Sequence, residues 1–126
     1  MAIAVGFTSK PEGVAALETA IDEARLRDLG IIAVVPDDAD LQVAQQRLAS
    51  TGVAHEVRPC EELQPLADAL LELAETSAVE FIVIGLRRRT PVGKLLLGSN
   101  AQRILLDAPC PVVAVKAAPH PPVDGG

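Results

Sequence analysis

Four of the eleven lysines and arginines in this chain, Arg87, Arg88, Arg89 and Lys94, fall between Gly85 and Gly98 with no acidic residue among them. The whole chain carries a formal net charge of −6, so this cluster locally reverses the sign. Gly98 is followed by Ser99, and that pair reads as the opening of a helix. Cations beside a helix N-terminus suit an anion, because free backbone N–H groups and the helix dipole both favour negative charge there. Phosphate binding is the chemistry the pattern points to. The competing reading is a solvated loop whose arginines serve solubility. Strand-to-helix connections in compact α/β units usually take about 2–6 residues, so a basic loop of this length needs a reason.

The elements that would position this loop follow from apolar spacing. Phe81 to Ile84 is a short β-compatible apolar run stopped by Gly85, and Ser99 opens a helix with Ala101, Ile104 and Leu105 inward. Pro109-Cys110-Pro111 ends that helix, and Val112 to Val115 is the last strand. Upstream, Ala2 to Phe7 is a buried strand, and Pro11 starts a helix carrying Val14, Leu17, Ile21 and Ala24 to about Leu29, closed by Gly30. Ile31 to Val35 is a second strand, ended by Pro36. Asp37, Asp38 and Asp40 form an acidic turn that reads as a cap for a helix over 41–50; a metal reading would need ligands converging from elsewhere. Val53 to Arg58 alternates, as a half-exposed edge strand does. A third helix is expected from about Pro59 and Glu61-Glu62 to about Ser77, with Pro65 near its first turn. Strict alternation of strand and helix implies a parallel, doubly wound α/β sheet with helices on both faces.

At 126 residues the chain forms one domain over 1–116, followed by a Pro/Gly-rich tail over 117–126 that is expected to be flexible. Hydrophobic residues make up 49% but aromatics only 2%, so the core is aliphatic, as a parallel sheet covered by helices requires. Few aromatics and a pI near 4.8 argue against a nucleic-acid partner. No apolar run is long enough to span a membrane, and no leader peptide is read at the N-terminus, which makes cytoplasmic the default location. Cys60 and Cys110 form neither a disulfide framework nor a metal site by spacing. His55 reads as a surface side chain without a partner set. No metal site and no catalytic group are assigned: there is no Walker sequence, no nucleophile beside a base, and only two histidines.

The segment from Phe81 to Ser99 resembles the signature of the universal stress protein family: a glycine, two residues, a glycine, nine residues, then glycine and serine or threonine. Gly85, Arg88, Gly98 and Ser99 keep that spacing, with Arg88 where the family has its second glycine. The stretch Ala101 to Val115 fits the rest of the motif, and a weaker resemblance runs from Ile3 to Lys116. It implies a five-stranded sheet of order 3-2-1-4-5, of the adenine-nucleotide alpha-hydrolase-like kind. The strand order then reverses between the first and fourth strands, where open α/β sheets bind ligands.

For ATP-binding members of the family the resemblance assigns roles. Gly6 and Thr8 lie on the loop after the first strand, Thr8 standing where the family has an aspartate. Backbone near Val35 would line the adenine. Gly85, Gly98, Ser99 and Asn100 would line ribose and phosphates, with Arg87, Arg88 and Lys94 supplying charge. The ligand implied is ATP or AMP, with magnesium a candidate companion. The last strand implies a homodimer through Val112, Val113 and Val115, since a bare apolar edge invites pairing. Two readings follow: a nucleotide-binding stress-response protein, or a dimeric interaction module of the same fold that has lost the nucleotide. An enzyme is the least favoured.

Overall fold

The computed structural model describes residues 1–89 and 94–117, and for residues 88, 89 and 94–96 the backbone alone. The elements run β1 (Ala2–Gly6), α1 (Pro11–Arg27), β2 (Gly30–Val35), α2 (Asp38–Ala49), β3 (His55–Pro59), α3 (Leu66–Thr76), β4 (Val79–Arg89), β5 (Lys94–Leu96), α4 (Ser99–Asp107) and β6 (Val112–Lys116). Five strands form a parallel sheet of order β3-β2-β1-β4-β6, with β6 paired to β4 from Ile82↔Val112 to Leu86↔Lys116. This is the expected 3-2-1-4-5 order, β6 being the last of the five. The tail beyond Ala117 lies outside the described residues.

Alternation along the strands splits the core between two faces. Ile3, Val5, Ile31, Ala33, Phe81 and Val83 pack against α1 and α2 through Leu17, Ile21 and Leu48. Ala4, Val34, Ile82 and Ile84 pack against α3 and α4 through Leu70, Leu73 and Ile104. The sheet is therefore buried on both sides, which is why its strands read as continuous apolar runs. The two edges are the exceptions: four of the five residues of β3 and three of the five of β6 are exposed.

Several expected boundaries move. Gly85 does not stop the fourth strand. β4 continues to Arg89 and returns as β5, antiparallel, with Arg87↔Leu96, Arg88↔Leu95 and Arg89↔Lys94 paired. The segment expected as a basic loop is thus largely a hairpin, which pairs backbone groups that a strand projecting past the sheet would otherwise leave to water. Its connecting residues, 90–93, lie outside the described residues. Helix α3 begins at Leu66 rather than near Pro59. Residues 61–64 turn on themselves instead: the Gln64 N–H donates to the Glu61 carbonyl (3.0 Å) and the Glu61 N–H to Gln64 Oε1 (3.1 Å). Leu63 there takes φ 62, and Pro65, which lacks an N–H, becomes the N-cap. Helix α1 is closed not by Gly30 but by Asp28 in the left-handed region (φ 56), whose N–H donates to Ala24. Gly30 already belongs to β2.

Candidate functional site

A cleft of about 250 Å³ opens past the carboxyl ends of β1 and β4, where the strand order reverses. Its walls come from the β1–α1 connection (Gly6, Thr8, Lys10, Glu12, Gly13), the end of β4 (Ile84, Gly85, Arg87), the start of α4 (Gly98, Ser99, Asn100, Ala101, Ile104), and Leu66 and Leu70 of α3. Of the ten positions singled out for a nucleotide, Gly6, Thr8, Gly85, Arg87, Gly98, Ser99 and Asn100 line this one cleft. Val35 does not. It is fully buried at the end of β2, and its carbonyl accepts from the Cys60 N–H at 2.8 Å. The side chains of Arg88 and Lys94 lie outside the described residues.

The glycines of the cleft do different work. A Cβ on Gly85 would overlap the backbone carbonyl of Glu12, and one on Gly13 would overlap the backbone and hydroxyl of Thr8. The first turn of α1 therefore lies directly on the end of β4, and the missing side chains permit that approach. A Cβ on Gly98 would meet nothing within 4 Å among the described residues. Gly98 is the N-cap of α4, with φ −66 and ψ 169, and among the described residues no side chain caps that helix. The first hydrogen bond of α4 runs from the Gln102 N–H to the Gly98 carbonyl, 3.0 Å. The preceding N–H groups stand at the cleft with the positive end of the helix dipole. Helix α1 also starts at the cleft, at Lys10, with Pro11 in its first turn and no capping side chain.

Asn100 has a partner of its own. Its Oδ1 accepts from the Ala67 N–H at 3.0 Å, in the first turn of α3. Pro65 has no side-chain cap to offer that helix, so Asn100 supplies it from α4. Arg103 reinforces the same junction with an Nη1 to Asp68 Oδ1 distance of 3.0 Å. The acidic turn after β2 is also structural: Asp37 Oδ1 accepts from the Asp40 N–H at 2.8 Å and caps α2, while Asp40 accepts from the backbone and hydroxyl of Ser9. That contact ties the β1–α1 connection to α2. Among the described residues no group of His, Cys, Asp and Glu side chains is placed to hold a metal ion.

Charge in the cleft is mixed. Lys10 and Arg87 face it, and so does Glu12, whose side chain is 18% exposed and stands 3.7 Å from Arg87 Nε. Lys10, Glu12 and Gly13 were not singled out from the sequence, where Glu12 reads only as a favourable first-turn charge. A cation and a carboxylate bracketing a proline just after a strand was the available signal. The apolar floor (Leu66, Leu70, Ile84, Ile104) reads from sequence as ordinary core.

Among the described residues β6 is paired on one side only, to β4. Val112 packs toward α3 and α4, Val115 toward α1, and Val113 is 36% exposed. No described helix is long and apolar enough to cross a membrane. Burial raises the thiol pKa of both Cys60 and Cys110, and both are unpaired.

The model of the universal stress protein family matches residues 35–116. A universal stress protein of Mycolicibacterium smegmatis (strain ATCC 700084 / mc(2)155) is 42% identical over 130 residues, covering 94% of this chain and 98% of that one. Among solved structures, a universal stress protein from Archaeoglobus fulgidus superposes with a TM-score of 0.76 at 28% identity, over 92% of this chain and 98% of its own. The universal stress protein from Archaeoglobus fulgidus in complex with dAMP superposes with a TM-score of 0.71 at 24% identity, over the same shares.

Proposed function

The chain belongs to the universal stress protein family, and from that premise we propose that it is a stress-response protein that binds an adenine nucleotide, AMP or ATP, the latter with magnesium, in the cleft between β1 and β4. The carrying observation is the uncapped start of α4 at Gly98, with open space over it, in a cleft that also receives Lys10 and Arg87. Backbone N–H groups at such a start hold phosphate without any charged side chain. The apolar floor of Leu66, Leu70 and Ile104 offers a surface to sugar or base. The universal stress protein from Archaeoglobus fulgidus that was solved with dAMP shows a fold of this kind holding such a ligand. In this reading the protein is a cytoplasmic binding component rather than a catalyst. The cleft carboxylate, Glu12, is already opposed by Arg87.

Calorimetric titration with AMP and with magnesium-ATP tests this. Binding is expected in the wild type, and at least tenfold weaker binding in Gly98→Leu. The leucine side chain fits the observed φ of −66 and projects over the helix start; leucine is a poorer N-cap than glycine, so a loss of about 1 kcal/mol and a fall of about 4 °C in melting temperature are expected with the fold kept. A wild type that binds neither nucleotide, or a Gly98→Leu variant that binds as well as wild type, overturns the assignment.

A second reading, a homodimer through β6, draws support from its free edge and the exposure of Val113. It is compatible with the first, and without a nucleotide it would leave an interaction module. Sedimentation across a concentration series decides it, a monomer at high micromolar concentration ruling it out.

A further inference from the structure

Glu12 is placed oddly for a site meant to attract phosphate. It lines the cleft, and its side chain is only 18% exposed. Its position is not free to drift, because its backbone rests against Gly85 so closely that a Cβ there would overlap it. The opposing Arg87 is 63% exposed, and its Nε stands 3.7 Å away, at the long end of an ion pair. The described cleft residues therefore carry two cations, Lys10 and Arg87, against one fixed carboxylate. The cleft is also small, about 250 Å³, below the roughly 300–1,000 Å³ usual for small-molecule sites.

We infer that Glu12 is a specificity-determining residue that limits the number of phosphates the cleft accepts, making it a site for a nucleoside monophosphate in preference to the triphosphate. This rests on the nucleotide reading above. A phosphate at the start of α4 meets free backbone N–H groups and the helix dipole. Arg87, which lines the same cleft 3.7 Å from Glu12, is opposed by that carboxylate and can also meet the phosphate. Each further phosphate adds negative charge to a cleft that already holds a carboxylate it cannot expel. Like charges a few ångströms apart in a partly desolvated site repel strongly. Glu12 acts on the ligand through charge, so its effect is largest on the ligand carrying the most charge.

The experiment is calorimetric titration of AMP and ATP, both in EDTA so that no cation masks the added charge, into wild type, Glu12→Gln and Glu12→Asp. Wild type is expected to bind AMP more tightly than ATP. Glu12→Gln keeps size and removes charge; it should strengthen ATP binding about tenfold and AMP binding about threefold or less, in proportion to ligand charge. Glu12→Asp keeps the charge and should keep the AMP preference. If both nucleotides bind and wild type prefers ATP, or the Glu12→Gln ratio matches wild type, the role of Glu12 is overturned while nucleotide binding stands. If neither binds wild type, both conclusions fall together.

Discussion

The N-termini of α2 and α3 differ from those of α1 and α4 in what meets their free N–H groups. Helix α2 is capped by its own Asp37, and α3 by Asn100, which reaches over from α4. Helices α1 and α4 have no capping side chain among the described residues, and both open onto the cleft. A helix start left without a side-chain acceptor relies on water or on something else to accept its hydrogen bonds. The two helices without a side-chain cap among the described residues are the two that open onto the cleft, where the first-turn N–H groups of α4 can be met by a ligand. Asn100 sharpens the contrast. It stands in the first turn of α4, in the cleft, yet its oxygen serves another helix.

The largest effect should come from the contact that puts α1 at the cleft. Gly85→Ala would push a methyl group into the Glu12 carbonyl, and neither partner is the end of a flexible side chain. A loss of about 3 kcal/mol is expected, the upper part of the range for overpacking, read from urea denaturation. A near-neutral result would mean that α1 can lift off β4, and that the shared opening of α1 and α4 onto one cleft is not fixed. The next effect belongs to the capped side. Asn100→Ala removes the acceptor for Ala67 and should cost about 1 kcal/mol, as loss of a capping side chain does. Nucleotide affinity should stay within about twofold of wild type, because the phosphate contacts proposed here are backbone groups of α4. A large affinity loss with stability unchanged would make Asn100 a ligand contact and reverse the roles assigned to it.

Local signals in the sequence carried most of the scaffold and part of the cleft. Strands buried on both faces leave unbroken apolar runs, so β1, β2 and β4 are legible in Ala2–Phe7, Ile31–Val35 and Phe81–Ile84, and the edge strand β6 in the short apolar run Val112–Val115. Pro11 and the Gly98-Ser99 pair announce helix starts through backbone chemistry that does not depend on the rest of the fold. The misplaced features depend on contacts between distant residues. The continuation of β4 into a hairpin required pairing of Arg87–Arg89 with Lys94–Leu96, which an arginine run does not advertise. Gly85 looked like a strand stop because its reason for being glycine is Glu12, far away in sequence. Asn100 lines the cleft, as the family resemblance implies, but its second part as a cap for α3 is hidden because Ala67, its partner, is 33 positions upstream. A first-turn glutamate such as Glu12 is common on any helix; only its burial against β4 gives it a further part.

The smallest change in stability is the most telling, because its two readouts should move in opposite directions. Gly98→Asp would give α4 the cap that α2 already has in Asp37. The backbone at Gly98, φ −66 and ψ 169, suits an N-cap aspartate, and the space around it is open. The carboxylate would accept from the N–H groups of the first turn and sit favourably in the helix dipole, a gain of a few tenths of a kcal/mol over glycine. The same carboxylate would occupy the donors proposed to hold phosphate and repel the rest of the ligand, so nucleotide binding should fall by at least tenfold. A variant that melts slightly higher and binds nothing would show that the missing cap is kept missing for a ligand. If the variant melts lower and still binds, the donors of α4 are not the phosphate contacts. The difference between the capped and uncapped helices would then be one of packing alone.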